Sequence, residues 1–179
     1  MRRIEGVLLL GVSLAPAILA APAVGWAQAE RPVCTGAPAP MPPAYAAWAA
    51  KSDLNAAGAA ADLPKAELVP GKAITAHLLP TKQVAYVVQP EKPGGSVSKG
   101  GMFEVKIDTA GVYRFASGSG AWVDVLKDGK ILESVNHMGG PACTGIRKMV
   151  DFPLEPGRYV LQISANADDV LPFLVLPQP

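Results

Sequence analysis

From Lys72 to the C-terminus the apolar residues recur every second position, the period of a half-buried strand and not the 3.6 of a helix. The pattern predicts strands at about 72–79, 83–88, 102–107, 112–117, 121–126, 130–135, 147–152, 158–164 and 170–176. Turn-forming residues separate them: Asp108-Thr109-Ala110-Gly111, Lys127-Asp128-Gly129-Lys130 and Glu155-Pro156-Gly157. Asp128-Gly129 between two apolar runs is a hairpin signal. Eighteen Gly and eighteen Pro favour turns over long helices. The expected fold class is all-β, a Greek-key or jelly-roll-like sandwich over 72–179.

One motif occurs twice. Ile107-x-x-x-Gly111-x-Tyr113-x-Phe115 is echoed by Leu154-x-Pro156-Gly157-x-Tyr159-x-Leu161. The second copy has the form of a tyrosine corner, in which a Gly permits the bend and the Tyr hydroxyl bonds back to the upstream backbone. This phase turns Phe103, Val105, Ile107, Tyr113, Phe115, Val123, Val125, Tyr159, Leu161 and Ile163 inward and makes the tyrosines structural.

Residues 1–29 read as a signal peptide. Arg2 and Arg3 precede an apolar stretch from Val7 to Ala21, and Ala27-Gln28-Ala29 fits a cleavage site after Ala29. Pro16 and Pro22 interrupt the stretch, which is short for a membrane anchor, so the expectation is a periplasmic or secreted protein without one. Cleavage removes two basic residues and one acidic residue, leaving fourteen of each. A neutral chain without a basic run is no candidate for nucleic-acid binding. In an oxidising compartment Cys34 and Cys143 are expected to form a disulfide, two free thiols or a Cys–His metal site being the alternatives. Residues 30–71 are rich in Ala and Pro and predict an N-terminal arm with two short helices, 44–50 after Pro42-Pro43 and 53–61 capped by Ser52. Tyr45 and Trp48 would dock this arm.

Three segments carry a resemblance: Ala110-Gly111-Val112-Tyr113-Arg114-Phe115, Asp124-Val125-Leu126-Lys127-Asp128-Gly129-Lys130 and Pro156-Gly157-Arg158-Tyr159-Val160-Leu161. Through them residues 101–165 resemble the small β-sandwich modules appended to secreted bacterial peptidases, the pre-peptidase C-terminal type. The resemblance implies a non-catalytic module, and no peptidase domain accompanies it in this sequence. The mature chain also resembles short exported proteobacterial proteins of unknown function, some of which bear the label homogentisate 1,2-dioxygenase. That enzyme is much larger and binds iron through two His and a Glu, a motif not found here.

Other chemistry-bearing patterns fail on context. Ser96-Val97-Ser98-Lys99 matches S-x-x-K but lies between Gly94-Gly95 and Gly100-Gly101, with no S-D-N or K-T-G partner. It is neither a P-loop nor a nucleophile elbow. His77 and His137 are the only histidines and have no metal-ligand spacing. No cofactor is expected.

Strand parity separates the connections. If strands alternate in direction, 80–82, 108–111, 127–130 and 153–157 fall at one end as tight turns. The longer or Gly-rich connections 89–101, 118–120, 136–145 and 165–169 fall at the other. Binding sites of sandwiches lie on such a loop end. It gathers the candidate binding residues Ser96, Lys99, Ser119, Trp122, His137, Asn166 and Asp168, and parity puts His77 near the turn end. Trp122 alternates with Val123 and points outward, either as an exposed platform for a sugar or an apolar side chain or covered by the 44–61 segment. The expected function is non-catalytic binding of a glycan or an exported protein. The rival is a small metal-binding protein or a dioxygenase-like enzyme centred on His137 with Asp168 and Asp169.

Overall fold

The computed structural model describes residues 34, 35 and 39–179; the expected signal peptide lies outside them. Twelve strands are described: β1 (Lys51–Asn55), β2 (Glu67–Leu68), β3 (Ala73–His77), β4 (Leu79–Pro80), β5 (Lys99–Ile107), β6 (Gly111–Ser117), β7 (Trp122–Lys127), β8 (Lys130–Ile131), β9 (Asn136–Met138), β10 (Lys148–Leu154), β11 (Gly157–Asn166) and β12 (Val170–Pro177). The first sheet has the order β1-β3-β12-β6-β10-β9 and the second β2-β5-β11-β7-β8, with β4 on the flank of β5. The chain is an all-β sandwich. Both sheets are mixed, because β1 pairs parallel with β3 and β2 parallel with β5.

All ten residues expected to point inward lie in one buried cluster between the sheets, joined by Phe152, Leu171, Phe173 and Val175. Phe115 anchors it, with the Phe152 ring edge-on at 5.4 Å. The repeated motif forms two corners. Tyr113 Oη donates to the Thr109 carbonyl at 2.9 Å, and Tyr159 Oη donates to the Glu155 carbonyl at 2.7 Å. Asp128 (φ 51°) and Gly129 (φ 73°) make the primed turn of the β7–β8 hairpin.

Gly157 sits at φ +153°, a conformation nearly confined to glycine. Gly157→Val is therefore expected to cost about 2 kcal/mol or more, read from denaturant unfolding. An unchanged midpoint would mean that the corner relaxes without glycine.

Four expectations from the sequence require correction. Residues 83–88 form no strand. Segment 84–95 lies as a strap over the outer face of the second sheet, with Tyr86 Oη donating to the Ile163 carbonyl at 2.9 Å. The Gln162 amide pairs with both backbone groups of Val88, at 2.9 and 3.2 Å, and Ser164 Oγ donates to the Lys92 carbonyl at 2.8 Å. A Cβ at Gly100 would collide with the Tyr86 hydroxyl, so the strap requires glycine there. The expected helix 53–61 is instead β1 followed by a 3-10 turn, Ala60–Lys65, because the free edge of β3 offers Ser52-Asp53-Leu54-Asn55 a ladder that a short, poorly capped helix cannot match. The expected strand 130–135 ends at Ile131, and the chain then crosses to the first sheet as β9. Without a strand at 83–88, β3 runs the opposite way, and His77, paired with Val170, lies at the loop end beside 80–82. It bonds Asp53 Oδ1 at 2.8 Å.

The arm begins as expected, with a 3-10 helix, Pro43–Ala49. Tyr45 and Trp48 are buried with Ala73, Ala116, Ile146, Met149, Leu174 and Leu176. These residues line the outer face of the first sheet. The Cys34–Cys143 disulfide ties the start of the arm to the loop end, with Cα atoms 5.4 Å apart. A disulfide suggests an oxidising, exported environment. Among the described residues no helix is long and apolar enough to cross a membrane.

Candidate functional site: an edge cleft between the sheets

Where β8 ends at Ile131, β7 becomes the edge of the second sheet, facing β10 and β9 of the first. Segment 131–137 bridges the gap between the sheets. The result is a cleft of about 470 Å³. Its apolar floor comes from the core: Val123, Val150 and Phe152, each at most 7 % exposed. Its polar wall comes from Trp122, Asp124 and Lys148, with Glu91, Glu133 and His137 at the margins.

Strand parity places Trp122 and Asp124 opposite Val123, yet both reach the cleft because β7 is an edge there. Trp122 Nε1 donates to Asp124 Oδ1 at 2.9 Å. Asp124 is 6 % exposed, and its Oδ2 is the one buried side-chain oxygen or nitrogen without a partner among the described residues. Burial pushes the Asp124 carboxyl above its ordinary pKa, against the pull of the Trp122 hydrogen bond. Lys148 Nζ reaches across the mouth to donate to the Ala121 carbonyl at 2.9 Å and lies 5.1 Å from the Trp122 ring centre. Burial, then the nearby Lys92, lowers the Lys148 pKa. Lys92, exposed on the strap, holds its Nζ 4.6 Å from the same ring. Within the strap, burial pushes the Tyr86 hydroxyl up to about 12.

The seven residues expected at the loop end do not form one site. Trp122 and His137 line the cleft. Ser119, Asn166 and Asp168 lie together on the rim, where Ser119 Oγ donates to Asn166 Oδ1 at 2.6 Å and Asn166 Nδ2 donates to the Asp168 carbonyl at 2.7 Å. Asn166 is 2 % exposed, so these bonds fix the rim and present little to a ligand. Lys99 pairs in register with Asn166, and Ser96 is exposed in the preceding turn. Trp122 is neither an open platform nor covered by the arm: it is half-buried beside the strap, while the arm's 3-10 helix docks on the other sheet. Among the described residues no group of three His, Cys, Asp or Glu is placed to hold a metal ion; His137 lies in the cleft, whereas Asp168 lines the rim hollow with Arg147. Sequence reading missed Asp124 and Lys148. The one available signal was a carboxylate in the middle of Trp122-Val123-Asp124-Val125-Leu126, at a position that would be solvated if no strap covered the sheet.

The chain matches no protein-family model and no curated protein.

Proposed function

We propose that the protein is an exported, non-catalytic binding module, cleaved after Ala29, that takes a glycan into the edge cleft. The observation that carries this reading is Asp124, which lines a cavity with an apolar floor and has one buried oxygen without a partner. A buried acceptor left bare costs about 1–3 kcal/mol, which a donor brought by a ligand recovers. The volume lies within the range of small-ligand sites, which favours a glycan over an exported protein. The resemblance of residues 101–165 to non-catalytic modules supports the same reading.

A glycan array tests it. Trp122→Ala and His137→Ala are expected to lose the signal of the wild type, and Lys130→Ala, at the opposite end of the sandwich, to retain it. All three variants should fold, since none removes a fully buried side chain. Equal losses in all three, or no signal from the wild type, would overturn the reading.

A further inference from the structure

We propose that the group seated in the cleft is a neutral pyranose ring, with one ring hydroxyl placed between Asp124 Oδ2 and Lys148 Nζ. The inference rests on the glycan-binding reading above and narrows it to an uncharged terminal sugar.

The argument is one of complementarity. Asp124 Oδ2 accepts and has nothing to accept from. Lys148 Nζ carries three protons and directs one at the Ala121 carbonyl. A hydroxyl donates to the first and accepts from the second at once. No charged group does both. A ligand ammonium would serve Asp124 but meet Lys148, and also Lys92 over the indole. A ligand carboxylate would serve Lys148 but face Glu91, Asp124 and Glu133. The floor supplies the rest: Val123, Val150 and Phe152 form an apolar surface for the C–H face of a sugar ring, while the hydroxyl edge turns toward the polar wall.

The test uses methyl glycosides of glucose, galactose and mannose with, for each, the corresponding aminosugar and uronate. The readout is the Trp122 indole N–H signal in nitrogen–proton NMR, assigned by its loss in Trp122→Phe. At least one neutral glycoside is expected to shift this signal at about millimolar concentration, the affinity open to so small a ligand. Its charged counterparts should bind about tenfold more weakly or worse. Lys148→Met and Asp124→Ala should each weaken the neutral glycoside about tenfold, the worth of one charge-assisted hydrogen bond. Should Asp124→Ala fail to fold, Lys148→Met carries the test, because its aliphatic stem is retained. A charged glycoside binding as well as the neutral one, or neutral binding indifferent to Lys148→Met, overturns this inference and leaves the glycan site standing. Silence from every sugar on the NMR readout, together with a blank array, overturns both.

Discussion

Arg114→Met is expected to destabilise the fold by about 3–5 kcal/mol in denaturant unfolding, the cost of breaking a buried ion pair by removing one partner. Arg114 points to the outer face of the first sheet, opposite the inward Phe115. Its Nε and Nη2 donate to the two Asp151 oxygens at 2.7 Å each, and its Nη1 donates to Tyr45 Oη at 2.9 Å. The side chains are 15 % and 7 % exposed, far from the surface regime in which such pairs contribute about 0–1 kcal/mol. Methionine would leave the Asp151 carboxylate buried without its cation and Tyr45 without its donor. The Tyr45 hydroxyl also donates to Met149 Sδ at 3.3 Å, so the pair holds the arm as well as the sheet. The double variant Arg114→Met with Asp151→Leu should recover most of the loss, because it removes the orphaned charge. A single-variant loss below about 1 kcal/mol would show that water reaches the pair.

Replacing both cysteines by serine is expected to cost up to about 4–5 kcal/mol, the chain-entropy value for a closed loop of this length. The bond joins residues 109 positions apart, so it restricts most of the unfolded mature chain. The measurement is denaturant unfolding of the oxidised protein, the reduced protein and the double Ser variant. The last two should agree with each other and fall below the first. Equal stability of all three would mean that the unfolded chain is already compact about these residues. Loss of the bond does not by itself free the arm, which the Tyr45–Arg114 contact and buried Trp48 still hold.

The interior was legible because alternation is a direct consequence of strand geometry. Phe103 to Ile163 could be assigned to the core without knowing which strands pair, since one buried face fixes the phase. The corners were legible because Gly and Tyr stand at a fixed offset within one local turn. What the sequence concealed was non-local. Val84-Ala85-Tyr86-Val87-Val88 has the alternation of a strand, but Pro90, Pro93 and the Gly94-Gly95 pair follow it, and the segment satisfies its polar groups on Gln162, Ser164 and Ile163 in place of a ladder. This one misreading reversed the direction of β3, and it hid the cleft, because Asp124 is buried only where the strap covers its sheet. Ser52 looked like a helix cap for the same kind of reason: the edge of β3 that claims Lys51–Asn55 is invisible in the local sequence.

The strap has a kinetic consequence. Its backbone is fixed to β11 at two points, through Val88 and Lys92, so it is no hinged lid. From the strap the Lys92 ammonium stands over the Trp122 ring, at the end of an exposed four-carbon stem. Moving it aside takes a rotamer change, which exposed side chains complete in picoseconds to nanoseconds, against the microseconds to milliseconds of loop opening. The Lys92 side chain can thus leave the indole without any movement of the strap backbone, and a weak ligand bound as proposed should exchange rapidly and leave the backbone where it found it.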